Sequence, residues 1–167
     1  NIGSLVLLDD ITEEKRVKGT MARFLTKEVA DQVLGSDDDL LSGTNYDASI
    51  MFSDIRSFTS ISENLGPKDT VSLLNHLFTE MVEEIFNHRG VLDKFIGDAI
   101  IAVFGAPISS GQDQENSVAS AIGIKNSLNR INRTRVEENK EPIRMGIGIA
   151  SGSVIAGTIG SPKRMEY

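Results

Sequence analysis

The stretch GVLDKFIGDAIIAVFG, Gly90 to Gly105, is apolar and β-prone on both sides of a central Ile96-Gly97-Asp98-Ala99. Glycine beside aspartate between two hydrophobic runs is turn chemistry, so the stretch reads as a buried β-hairpin. Yet it carries Asp93, Lys94 and Asp98. A carboxylate at the tip and a lysine within the first strand are out of place among core residues. Such a lysine is costly unless its ammonium is paired or reaches water. Lys94 is therefore either an edge lysine, snorkelling or paired with Asp93 or Asp98, or a donor facing a ligand across an interface.

The elements on either side complete a pattern. ASIMFSD, residues 48–54, is a short apolar strand ending in an aspartate, and IRSFTSISENLGP reads as a turn and a short helix. Residues 68–88 place Val71, Leu74, Leu77, Phe78, Met81, Val82, Ile85 and Phe86 at helical spacing. A second helix is expected over 113–139, with Val118, Ala121, Ile122, Ile124, Leu128 and Ile131 as its apolar set. IRMGIGIAS, 143–151, is another strand, and the glycine-punctuated remainder runs to Tyr167. The order β-α-α-β-β-α-β around a central hairpin predicts an α/β (α+β) sandwich. Its antiparallel-rich sheet, of ferredoxin-like or palm type, carries helices packed on it. Upstream, residues 1–16 read as one apolar strand entering a charged segment, the tail of something larger. Residues 17–34 have roughly helical spacing, and GSDDDLLSGTNYD, 35–47, reads as a linker.

Composition narrows the function classes. At 167 residues, 40% apolar and 25% charged, the chain suits one ordinary globular domain with a lead-in. It contains no cysteine, so neither disulfides nor thiolate metal sites are available, which fits a reducing, cytoplasmic setting. No apolar run approaches the roughly 20 residues of a membrane span, and no signal peptide is visible. A formal net charge of −7 disfavours nucleic acid and anionic membrane as partners. A polyphosphate substrate remains compatible if metal ions bridge the like charges.

Two strand ends bear aspartates, Asp54 and Asp98. If the first strand pairs beside the hairpin, both carboxylates meet at one border of the sheet. Converging carboxylates with no cationic neighbour resist joint ionisation, and a divalent cation resolves that. Hard oxygen ligands select Mg²⁺ or Mn²⁺. The alternative is that Asp98 merely suits its turn and Asp54 caps the next helix. The turn after Asp54 exposes unpaired backbone N–H groups at a helix start, with Ser57 and Thr59 adding hydroxyls; this is either a phosphate cradle or ordinary helix capping. It is not a Walker loop, because the Gly-Lys-Ser/Thr ending is missing. Asp37-Asp38-Asp39 lacks calcium-loop spacing, His76 and His88 match no metal pattern, and Ser151 has no His-Asp partnership.

Taken together, FSDIRSFTSISE, LDKFIGDAIIAVFGAP and RMGIGIASGSVIAGTIGS…RMEY resemble the class III nucleotidyl cyclase catalytic domain over residues 46–167, and most of all its bacterial, cyanobacterial-like adenylyl members. LVLLDDITEEKR resembles the end of a PAS-like sensor (1–16), and ARFLTKEVADQVL the helix that couples sensor to cyclase (within 17–45). The resemblance implies an adenylyl cyclase using ATP. Asp54, Asp98 and the Ile55 carbonyl would hold two ions, Mg²⁺ or Mn²⁺. Arg56, Ser57, Phe58 and Thr59 would form the phosphate loop, where many members have glycine at the Ser57 position. Lys94 would read the purine; guanylyl cyclases typically carry glutamate there. Lys163 or Arg164 would reach the β- and γ-phosphates. The implied active site lies between two chains of a homodimer, under an upstream sensor. The resemblance also places a second purine contact, a ribose-orienting asparagine and a transition-state arginine after Tyr167. Rival readings are a guanylyl cyclase and a non-catalytic cyclase-like nucleotide-binding dimerisation module. A diguanylate cyclase lacks support, since its GGDEF-type signature is absent.

Overall fold

The computed structural model describes residues 44–156, 159–161 and 164–166. The sensor tail at 1–16, the helix at 17–34 and most of the linker lie outside the described residues. The chain runs β1 (Thr44–Ile55), α1 (Phe58–Leu65), α2 (Pro67–Asn87), β2 (Val91–Ile96), β3 (Ala99–Phe104), α3 (Asp113–Glu137) and β4 (Met145–Ala156). Two short strands, β5 (Ile159–Ser161) and β6 (Arg164–Glu166), pair with each other as a separate ribbon. The main sheet has the order β2-β3-β1-β4 with every neighbouring pair antiparallel. That is the expected ferredoxin-like arrangement. β1 begins at Thr44, so the last four residues assigned to the linker are strand.

The sheet has one covered and one open face. Along β1, Ser49, Met51, Ser53 and Ile55 are buried, whereas Ile50 and Phe52 are exposed, the period-2 alternation of a strand with helices on one side only. Met51, Leu92, Ile100, Ala102 and Phe104 from the strands pack with Met81 and Ile85 of α2 and Ile124 of α3. A second cluster joins Ile55, Leu73, Leu77 and Ile143.

The helices differ from their apolar stripes. In α2, Leu73 is buried and Val71 is exposed. In α3 the buried positions are Ser117, Ser120, Ile124 and Ser127, while Val118 and Ile122 lie in solvent. Small residues face inward because the helices approach closely. The Glu84 side chain of α2 lies directly against Gly123 and accepts a 3.3 Å bond from Ser127 Oγ. Arg130 extends this seam, donating to Ser127 Oγ at 2.7 Å and to Glu80 at 3.3 Å.

Gly90, between α2 and β2, is the tightest joint of the core. A Cβ there would lie 2.5 Å from Phe104 Cε1 and 2.8 Å from Ile85 Cγ2, both fixed core groups. Gly90→Ala is expected to cost about 1–3 kcal/mol through overpacking. A thermal melt checks this, and an unchanged midpoint would show that the joint yields freely.

Candidate active site

The hairpin turn carries Asp98 to β1. Gly97 has φ 61°, a left-handed conformation that a tight two-residue connection needs. Ile96 pairs with Ala99 across it. Because β3 lies beside β1, the tip reaches the C-terminal end of β1, where the Ile55 N–H donates to Asp98 Oδ2 at 3.1 Å. Asp54, Ile55 and Asp98 are thereby brought together. The turn-only reading of Asp98 is incomplete, since its carboxylate binds another strand.

Asp54 does not cap α1. The N-cap position is Ser57, with φ 59°, ψ 32° and no side-chain capping bond. A left-handed serine is strained relative to glycine by about 1 kcal/mol, the residue the family resemblance places there. The hydroxyl-capping alternative for this turn therefore fails. Phe58 packs its side chain against the Ile55–Leu77 cluster, so its side chain serves the core.

Asp54 instead has a cationic neighbour, contrary to expectation. Arg56 Nη1 lies 3.9 Å from Asp54 Oδ2, with both side chains substantially exposed. The two side chains converge over Gly146, which pairs with Asp54 across β1 and β4. A Cβ at Gly146 would fall 2.7 Å from Asp54 Oδ1 and would strike the Arg56 guanidinium. Gly146 was not among the residues anticipated for the site. Its signal lay in the alternating glycines of RMGIG, since glycine inside a strand often marks a close approach.

Lys94 owes its position to a β-bulge. The pairing steps from Leu92↔Ala102 to Lys94↔Ile101, so Asp93 is an extra residue. Leu92 remains in the core, and Phe95 stacks on Phe78 of α2 with ring centroids 4.5 Å apart. Lys94, between them, is turned to the open face, in the same row as Ile101 and Phe52. Its Nζ is 3.9 Å from Asp93 Oδ1. From strand spacing and rise, Lys94 and Asp54 are separated by about 12 Å on that face. The side chains of Lys163 and Arg164 lie outside what the structure describes.

The donor set suits a hard divalent cation. Two carboxylates and a backbone carbonyl form an all-oxygen set, and the Gly146 notch lets the Asp54 carboxylate and the Arg56 guanidinium lie where a side chain would otherwise stand. Among the described residues no cluster of three or more His, Cys, Asp or Glu offers another metal site. A groove of about 880 Å³ between α2 and β2, lined by Phe78, Val82, Phe86, Leu92 and Phe95, is elsewhere on the surface. No helix among the described residues is long and apolar enough to cross a membrane.

Residues 42–167 match the adenylate and guanylate cyclase catalytic domain, and the chain belongs to this family of class III nucleotidyl cyclases. Solved relatives include both kinds of enzyme. The guanylyl cyclase Cya2 is 40% identical with a TM-score of 0.69, over 75% of this chain and 64% of that one. The adenylyl cyclase CyaB from P. aeruginosa is 30% identical with a TM-score of 0.72, over 76% of this chain and 66% of that one. An uncharacterized protein of Mycobacterium tuberculosis is 31% identical over 166 residues, 99% of this chain and 29% of the relative. The chain thus spans less than a third of the length of the curated relatives it matches.

Proposed function

We propose that this chain carries an adenylyl cyclase, converting ATP to 3′,5′-cyclic AMP and pyrophosphate. The 3′-hydroxyl oxygen attacks the α-phosphorus in line, the bond to the β-phosphate oxygen breaks, and the hydroxyl proton passes to solvent. The observation that carries this reading is the meeting of Asp54, Ile55 and Asp98 at the end of a sheet whose open face also bears Lys94.

Two divalent ions, Mg²⁺ or Mn²⁺, held by Asp54, Asp98 and the Ile55 carbonyl would acidify the 3′-hydroxyl and balance the triphosphate charge. Asp98 is kept in place by the Ile55 N–H. The backbone N–H groups of Ser57, Phe58 and Thr59 are left for phosphate, the Arg56 N–H being taken by the Arg144 carbonyl, and by the family resemblance Arg164 would reach the β- and γ-phosphates. Lys94 donates to adenine N1, an acceptor; guanine N1 carries a hydrogen and calls for a carboxylate. The open face, with Ile50, Phe52 and Ile96 exposed, suits a second copy of the chain. In that homodimer, Lys94 of one chain serves the aspartates of the other. The setting we propose is cytoplasmic, under an upstream sensor, with no nucleic-acid partner.

Guanylyl cyclase activity is the second reading, favoured by the 40% identity to Cya2. The deciding experiment assays the intact protein with ATP and GTP, each with Mg²⁺ and Mn²⁺. Preference for ATP is expected. Lys94→Glu should lower the ATP:GTP rate ratio by at least about 10-fold, since a hydrogen bond to a charged group is worth roughly 1.5–3 kcal/mol. An unchanged ratio would remove Lys94 from base reading. Absence of turnover on either nucleotide would favour the non-catalytic dimerisation module.

A further inference from the structure

Arg56 stands where a cation is wanted. Its backbone N–H donates to the Arg144 carbonyl at 2.8 Å, tying the turn after β1 to the approach to β4. From that anchor the side chain folds back over Gly146 and brings Nη1 to 3.9 Å from Asp54 Oδ2. A cation, a carboxylate and a notch without a side chain therefore coincide at the end of β1 whose Ile55 N–H also binds Asp98.

We propose that Arg56 is an internal counter-cation that occupies Asp54 in the metal-free chain and competes with the divalent ion for it. This rests on the reading of Asp54 and Asp98 as cation ligands. Neighbouring carboxylates repel, and a guanidinium within 4 Å offsets part of that repulsion. The pair is weak, because side-chain exposures of 62% for Arg56 and 43% for Asp54 leave it screened by water. Weakness is what a placeholder needs: it holds the carboxylate in the absence of metal and yields to a doubly charged ion that coordinates oxygen directly. Gly146 makes the arrangement possible, since any Cβ there would collide with the guanidinium. The competition lowers affinity for a cation arriving alone. A cation arriving with a nucleotide is less affected, because the displaced guanidinium remains on the turn that faces the phosphates. Arg56 thus biases the site toward the metal–nucleotide complex over the bare ion.

The test is a Mn²⁺ titration of the intact protein without nucleotide, following free Mn²⁺ by its electron paramagnetic resonance signal. Arg56→Gln should bind the first Mn²⁺ about 2- to 5-fold more tightly than the parent, the range set by an exposed ion pair. Arg56→Lys, which keeps the charge, should show a smaller gain. Arg133→Gln, on helix α3, removes the same charge remotely and should leave the affinity unchanged at physiological salt. Asp54→Asn should lose the site. If Asp54→Asn loses binding while Arg56→Gln matches or weakens the parent, the counter-cation proposal is wrong and the ligand reading stands. Equal tightening by Arg133→Gln would reduce the effect to net charge and also overturn the proposal. If Asp54→Asn binds Mn²⁺ like the parent, both readings fall.

Discussion

Asp54→Asn or Asp98→Asn in the intact protein is expected to lower nucleotide cyclisation on the order of 10³-fold while leaving the fold in place. Each substitution removes one of the two protein carboxylates from the proposed cation site, and stabilisation of developing charge is usually the largest catalytic term. The structure explains why folding survives. Asp54 is substantially exposed, and its Arg56 partner is weakly bound. Asp98 accepts the Ile55 N–H, and an asparagine amide oxygen can accept the same bond. Circular dichroism and a melting midpoint within a few degrees of the parent separate lost chemistry from lost structure. Near-parental turnover by either variant, with Mg²⁺ and with Mn²⁺, would remove these aspartates from the reaction.

Coexpression of Asp54→Asn and Lys94→Glu chains is expected to raise ATP cyclisation above that of either homodimer. In the shared-site arrangement, one centre of the mixed dimer receives both substitutions. The other takes intact aspartates from the Lys94→Glu chain and an intact lysine from the Asp54→Asn chain. Random pairing makes half of all dimers mixed, each with one whole centre, so activity should recover to about a quarter of the parental rate. Asp54→Asn with Asp98→Asn should not complement, because every centre in that dimer lacks one carboxylate. Two affinity tags isolate the mixed species. Isolated opposite-side dimers without activity would place the whole site within a single chain.

The topology was legible because its signals are local. The apolar hairpin around Gly97, the strand before Asp54 and the long amphipathic helix all appear where the sequence puts them. The inner face of α3 was not legible. Hydrophobic spacing selects Val118 and Ile122, but close contact with α2 through Gly123 and Glu84 favours small residues, and serines are buried instead. At the site, the aspartates announce themselves by interrupting apolar strands. The Arg56–Gly146–Asp54 contact does not, since it joins residues 90 positions apart through a pairing seen only in the folded sheet. The placement of Lys94 also escaped sequence reading, because nothing in LDKFIG marks Asp93 as the residue that breaks the alternation.

That extra residue has an evolutionary consequence. A strand counts in twos, so the side chain at 94 reaches the open face by parity rather than by its own chemistry. Exchanges at this position can alter the open face while Leu92 stays in the core and Phe95 stays stacked on Phe78. Were β2 to pair with β3 without the bulge and with all its residues kept, that division would reverse, sending the ammonium toward Phe78 and turning the Phe95 ring outward. The hairpin is therefore permissive to changes of letter and intolerant of a slip in register. On the proposed reading, nucleotide preference would drift by point substitution, whereas a one-residue slip would remove recognition and packing together.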